Sequence, residues 1–374
     1  MTRLRRPYRA DHVGSFVRPD ELVRARAKRE NGEIDAKALR RIEDECIREV
    51  VKMQEDLGLH SITDGEFRRG SWNADFLAGF KNVTKTTGNL PLFHRNPDGT
   101  STANRISAWE VGGKIDRKGP IQVEDFKFLR SVTKETPKTC IPSPTLLHFR
   151  GGRKAIDATA YPKMEEFFSD VAKAYRDEVN DLYAAGCRYL QIDDTNFAYL
   201  CDPAFREAAK KMGEEPERLV GTYCKLVNDA IRDRPDDFLV CIHLCRGNAS
   251  VGGAASGSYE AIAEEMFGTL DVDGFFLEYD DERAGGFEPL RFVPKGKTVV
   301  LGLITTKRGE LEPKDLLKRR IAEAAKVVPL ENLCLSPQCG FASAGNPNRA
   351  RRIDDEIAKI KLLVATAQEV WGGV

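Results

Sequence analysis

Eight short runs rich in β-branched and aromatic residues, each ending in polar side chains and separated by longer amphipathic stretches, restrict the fold of this chain most strongly. They fall near 10–15, 59–66, 138–145, 187–195, 238–245, 274–280, 298–305 and 333–341. Helical patterns occupy 36–57, 164–185, 216–233, 258–269, 312–328 and 351–370, each setting an apolar stripe against Lys, Arg, Asp and Glu. Strands joined by helices run parallel, because each connection must cross from one end of the sheet back to the other. Eight such units predict an α/β fold, a (β/α)8 TIM barrel, and 374 residues suit one barrel domain spanning 1–374. Two segments break the rhythm. The stretch 67–136 is too long for one βα connection, and its polar loop HRNPDGTSTANR followed by ISAWEVGGK predicts an insertion after strand 2 with short antiparallel strands above the catalytic face. The connection 281–297, DERAGGFEPLRFVPKGK, is rich in Gly and Pro, so the sixth helix is expected to be short or irregular.

Lys plus Arg equals Asp plus Glu at 58 each, so no global positive field exists to gather nucleic acid or an anionic membrane, and the expected partner is a small molecule. No apolar run approaches the roughly 18 residues needed to span a bilayer. The N-terminus MTRLRRPYRADHVGS is basic but lacks the apolar core of a secretory signal, which predicts a cytoplasmic protein. Nine cysteines, an odd count spread through the chain, predict reduced thiols instead of a disulfide framework. Most of them, such as Cys140, Cys187 and Cys241 inside apolar runs, read as small core residues.

The chemistry-bearing residues sit where the strands end, on the face where barrels place their active sites. His243 and Cys245 are two apart in FLVCIHLC, so both point to the same side of a strand. An HxC pair alone is weak. The next strand, however, ends in Glu278 and the last in Cys339 of SPQCGF, and a closed barrel can aim all four at one point. One imidazole, two thiolates and one carboxylate suit Zn2+ in tetrahedral coordination. Zinc with an exchangeable position lowers the pKa of a bound thiol, giving a zinc-bound thiolate nucleophile at neutral pH. A purely structural zinc is the alternative, although such sites usually staple loops.

At this point the sequence resembles the cobalamin-independent methionine synthases, in particular their catalytic C-terminal barrel and the shorter single-barrel bacterial relatives. The resemblance covers nearly the whole chain and rests on HVGSF at 12–16, DGEF at 64–67, LQIDD at 190–194, HLC at 243–245, the glutamate of FLEYD at 276–280 and PQCGF at 337–341, in the family's order. It implies zinc on His243, Cys245, Glu278 and Cys339, homocysteine beside it as thiolate, and methyl transfer to give methionine. It also implies that Ser15 lies near the amino-acid carboxylate and that Glu66 and Asp193 receive the ammonium group. Two unpaired carboxylates at a partly desolvated mouth would indeed call for a cation.

The chain also departs from the family. It has no room for the N-terminal barrel of the full-length synthases, which helps position folate. Where the family places a histidine after the seventh strand, this sequence reads LITTKRG, with Thr305 at that point. The alkyl donor therefore stays open. The segment after Cys245 is Gly-rich, and its Arg246 and Asn248 suit either an anionic donor or a helix cap. Epoxyalkane:coenzyme M transferase is similar in barrel and zinc motif. A sulfonated thiol would want basic partners, for which Arg18, Arg68, Arg69 and Arg246 are candidates. A non-catalytic zinc-binding barrel is the third alternative.

Overall fold

The computed structural model describes residues 6–95, 101–248, 254–342 and 353–374. Among the described residues there are nine strands: β1 (Ser61–Ile62), β2 (Val83–Arg95), β3 (Ser101–Val111), β4 (Thr136–Pro142), β5 (Tyr189–Asp194), β6 (Leu239–Leu244), β7 (Gly274–Glu278), β8 (Thr298–Ile304) and β9 (Leu333–Pro337). Seven form one parallel sheet in the order β1-β4-β5-β6-β7-β8-β9, while β2 and β3 pair antiparallel as a separate hairpin. The expected run at 10–15 supplies the last stave. Ala10 bridges Leu335 in parallel, with Asp11 N donating to Leu335 O at 3.0 Å and Leu335 N to Arg9 O at 2.9 Å. On its other side Phe16 N donates to Gly65 O at 3.1 Å and the Thr63 hydroxyl to Gly14 O at 2.6 Å. The N-terminal segment thus lies between β9 and β1, and the sheet closes into the (β/α)8 barrel that the alternation predicts.

Strand parity sorts the side chains into two cores. Leu190, Ile192, Val240, Ile242, Phe275, Leu277, Val299, Leu301 and Leu335 face outward and pack under the helices. The opposite set, Val13, Tyr189, Leu239, Cys241, Phe276, Val300 and Cys334, fills the barrel interior. Below it Lys138, fully buried, donates to Asp11 Oδ1 at 3.0 Å and His12 O at 2.5 Å, and the Tyr189 hydroxyl donates to the other Asp11 oxygen at 2.7 Å. A buried ammonium is tolerable only with partners of this kind. The same inward parity, continued upward, delivers Asp193, His243 and Glu278 to the barrel mouth.

The helices lie over the outer core. Ala36–Asp56, Met164–Ala184, Pro216–Ala230, Lys314–Ala324 and Ile353–Trp371 follow the expected ranges closely. Two further helices lack a broad apolar stripe. Asp20–Glu30 buries only Leu22 and Ala25, and Pro203–Lys211 only Phe205 and Ala209, although Asp202 caps the latter by accepting from Ala204 N. The insertion holds the hairpin, with strands longer than expected, and a helix at Val123–Val132 that the sequence pattern does not predict. The sixth connection is irregular, as expected, with two single-turn segments at Glu282–Ala284 and Glu288–Phe292. Among the described residues no helix is long and apolar enough to cross a membrane.

Candidate active site

His243 is the last inward residue within β6, Cys245 follows the strand, Glu278 ends β7, and Cys339 lies two residues beyond β9. Each offers a donor atom within 4.8 Å of those of the other three. The two sulfurs are 3.4 Å apart. Backbone groups support the cluster: Arg246 N donates to Glu278 Oε1 at 2.9 Å and Gly247 N to Cys245 Sγ at 3.4 Å. Behind Glu278 stands a charged shell, with Arg283 4.0 Å from its second oxygen and Lys307 2.8 Å from Asp280.

The chemistry of this set fits a metal. Both ring nitrogens of His243 and Glu278 Oε2 are buried without a hydrogen-bond partner, whereas buried polar atoms are almost always satisfied. Burial first, then the neighbouring Cys339, pushes the Glu278 carboxyl up to about 7. The contact with Cys339, then burial, holds the Cys245 thiol well above its ordinary value. Without a cation, acidic groups so crowded retain protons. A divalent ion would reverse that balance, with two thiolates, an imidazole and a carboxylate available to hold it.

Ser15, Glu66 and Asp193 border this cluster. Asp193 stands opposite His243 in the β5–β6 register. Ser15 is held against the Cys339 loop: its carbonyl accepts from Phe341 N at 2.8 Å and its hydroxyl oxygen from Ala342 N at 3.3 Å. Gly340 makes that approach possible, because a Cβ there would collide with Ser15 Oγ. Glu66 follows Gly65 in a tight turn with a positive φ of 62°, uncommon for a residue with a side chain, and its backbone N donates to Asp64 Oδ1 at 2.8 Å. Donor atoms of Glu66, Cys140 and Asp193 lie within 4.8 Å of one another.

Here the sequence-based premise needs correction, because Glu66 and Asp193 are not unpaired. The buried guanidinium of Arg69 pairs directly with Glu66 and comes within 4.0 Å of Asp193. Arg69, three residues after Glu66, is close enough along the turn to fold back on it. Gln191, on the same strand face as Asp193, donates to Asp193 Oδ1 and Val13 O, each at 2.7 Å. Burial first, and Glu66 after the opposing pull of His243, lifts the Asp193 carboxyl to about 7. Cys140 is buried as expected, but beside the pocket. Strand alternation could have signalled it, since β4 pairs Cys140 with Gln191.

The other arginines proposed for a sulfonated thiol are engaged elsewhere. Arg18 donates to the carbonyls of Glu66 and Arg69, Arg68 pairs with Asp44 and Asp125, and Arg246 donates to Gly257 O and stacks over Tyr259. Asn248 accepts from Gln338 Nε2 at 3.0 Å. Thr305, just past β8, is buried, and its backbone N donates to Glu312.

Comparison with known proteins agrees with this architecture. A model of the cobalamin-independent synthase catalytic domain matches residues 9–368. The uncharacterized protein YxjH of Bacillus subtilis is 44% identical over 98% of this chain and 95% of its own length. A crystal structure from Listeria monocytogenes, provisionally described as a vitamin-B12-independent methionine synthase, is 38% identical with a TM-score of 0.78, covering 98% of this chain and 99% of that one. The 5-methyltetrahydropteroyltriglutamate–homocysteine methyltransferase of Mycobacterium leprae is 24% identical over 96% of this chain, which spans only 42% of that protein. The chain therefore belongs to the cobalamin-independent synthase family, as a form of its catalytic domain.

Proposed function

We propose that the protein transfers a methyl group to the sulfur of a small thiol, homocysteine, to give methionine. The observation that carries this reading is the convergence of His243, Cys245, Glu278 and Cys339, with orphaned His243 and Glu278 atoms, beside Ser15, Glu66 and Asp193. These four side chains would hold Zn2+, which when bound lowers the pKa of a thiol ligand so that thiolate is available at neutral pH. The remaining work belongs to the chain. Glu66 and Asp193 bind the ammonium group, Ser15 meets the carboxylate, and the two contacts fix the direction of the sulfur. The backbone N–H groups of Arg246 and Gly247 steady Glu278 and Cys245, and the buried mouth keeps water from the methyl group in transit. One S–C bond forms as the donor's bond to the methyl carbon breaks.

The test is product formation by the zinc-loaded protein. L-Homocysteine would be supplied with a panel of methyl donors that includes methyltetrahydrofolate carrying one or three glutamates and a methylsulfonium compound. Methionine should appear with at least one donor and should vanish after chelation. A second reading, epoxide opening by mercaptoethanesulfonate, draws on Arg69 as a cation at the pocket. Consumption of that thiol with a small epoxide, while homocysteine is ignored, would replace the first reading with the second. A protein that turned over neither pair would fit a non-catalytic zinc barrel.

A further inference from the structure

Two carboxylates positioned for an ammonium group already have a cation. Arg69 is buried, its Nη2 pairs with Glu66 and approaches Asp193, its Nη1 donates to Trp72 O at 3.3 Å, and its Nε has no partner. Burial opposes the guanidinium charge, but Glu66 and then Asp193 hold it firmly protonated. An incoming ammonium would meet this like charge beside the same oxygens, so the two cations would repel one another across the pair. The guanidinium has somewhere to go. A cavity of about 110 Å³ opens from Glu66 and Arg69, and its far wall sets the carboxylates Asp64, Asp75 and Asp125 against the cations Arg68 and Lys138, of which Lys138 is already paired with Asp11. Asp125 is compensated by Arg40 and Arg68, whereas Asp64 and Asp75 accept only from backbone N–H groups and are the carboxylates that could receive the guanidinium.

We propose that Arg69 is a displaceable counter-ion: it holds the ammonium subsite in the free protein and turns into the adjoining cavity when an aminothiol enters. This inference rests on the homocysteine reading and deepens it. The guanidinium balances one of the two carboxylate charges while the pocket is empty, and its displacement is a cost that only a ligand bringing its own cation recovers. A thiol without an amine leaves Arg69 in place. Arg69 therefore sets how strongly the pocket prefers amino over desamino thiols.

The experiment is calorimetric titration of the zinc-loaded protein with L-homocysteine and with 4-mercaptobutanoate, which has the same skeleton without the amine. In Arg69→Met the preference for homocysteine should rise by about tenfold or more, because ammonium no longer competes with guanidinium for the carboxylates. Arg69→Lys, which keeps a cation, should return the preference towards wild type. An unchanged or reduced preference in Arg69→Met overturns the proposal and makes Arg69 a fixed anchor, either structural or for an anionic ligand. If that variant fails to fold, the crystal structure of the wild-type homocysteine complex decides: guanidinium in the cavity supports displacement, and guanidinium still on Glu66 refutes it. Should homocysteine sulfur fail to reach the zinc in wild type, the homocysteine reading falls and this inference with it. Sulfur binding with an unchanged Arg69→Met preference removes the Arg69 inference alone.

Discussion

At the residue scale, the four proposed ligands contribute one donor each and none can stand in for another. Cys245→Ser and Cys339→Ser should each remove most of the metal, against about one zinc per chain in the wild type, because a neutral hydroxyl is a far poorer zinc ligand than a thiolate. Full metal content in both variants by elemental analysis would show that the site is misplaced. Asp193→Asn should instead keep its zinc and weaken homocysteine binding by roughly ten- to a hundredfold, the worth of one charge-assisted hydrogen bond. Equal binding by calorimetry would remove Asp193 from the ammonium subsite. The proposed ligands His243, Cys245, Glu278 and Cys339 can be singled out in the sequence because they end strands or follow them, whereas Ser15, Glu66 and Asp193 enter through the family resemblance. Arg69 was visible only as one of several arginines. Nothing in linear order tells a guanidinium that folds back three residues onto Glu66 from Arg68, which turns outward to Asp44 and Asp125.

At the scale of elements, the helices that the sequence placed well, such as Met164–Ala184, carry a broad stripe of buried residues. Asp20–Glu30 lacks one and gave no periodic signal. Tertiary context adds what periodicity cannot. The helix Ile353–Trp371 docks on the HVGSF loop through Glu356, almost fully buried, whose Oε2 accepts from Val17 N at 2.8 Å. Burial pushes this carboxyl up to about 8, against an ordinary value of 4.5, with the Val17 bond opposing. A folded-state pKa above the unfolded one means that the folded state holds the proton longer, so Glu356 costs stability progressively as pH rises from about 4.5 to about 8. Glu356→Gln keeps the acceptor and removes the charge. Its melting temperature should match wild type near pH 5 and exceed it by a few degrees near pH 9. An offset that does not change with pH would contradict the assignment.

At the scale of the whole molecule, closure of the barrel by the Ala10 segment brings the proposed ligands at the ends of β6, β7 and β9 to one point and sets the Ser15 loop against Cys339. The alternating pattern disclosed the barrel because parallel β/α units leave few other solutions. It did not disclose the helix at Val123–Val132, since an insertion has no repeat to obey. We infer that 1–374 behaves as one folding domain, which predicts a single thermal transition and no separately stable fragment after limited proteolysis. Two resolved transitions would divide it. The central claim, that a metal held by this mouth receives the substrate sulfur, is tested most directly by zinc-edge X-ray absorption on the loaded protein before and after homocysteine is added. The account predicts two sulfur ligands before addition and three after it. A first shell that keeps two sulfurs at saturating homocysteine would contradict it.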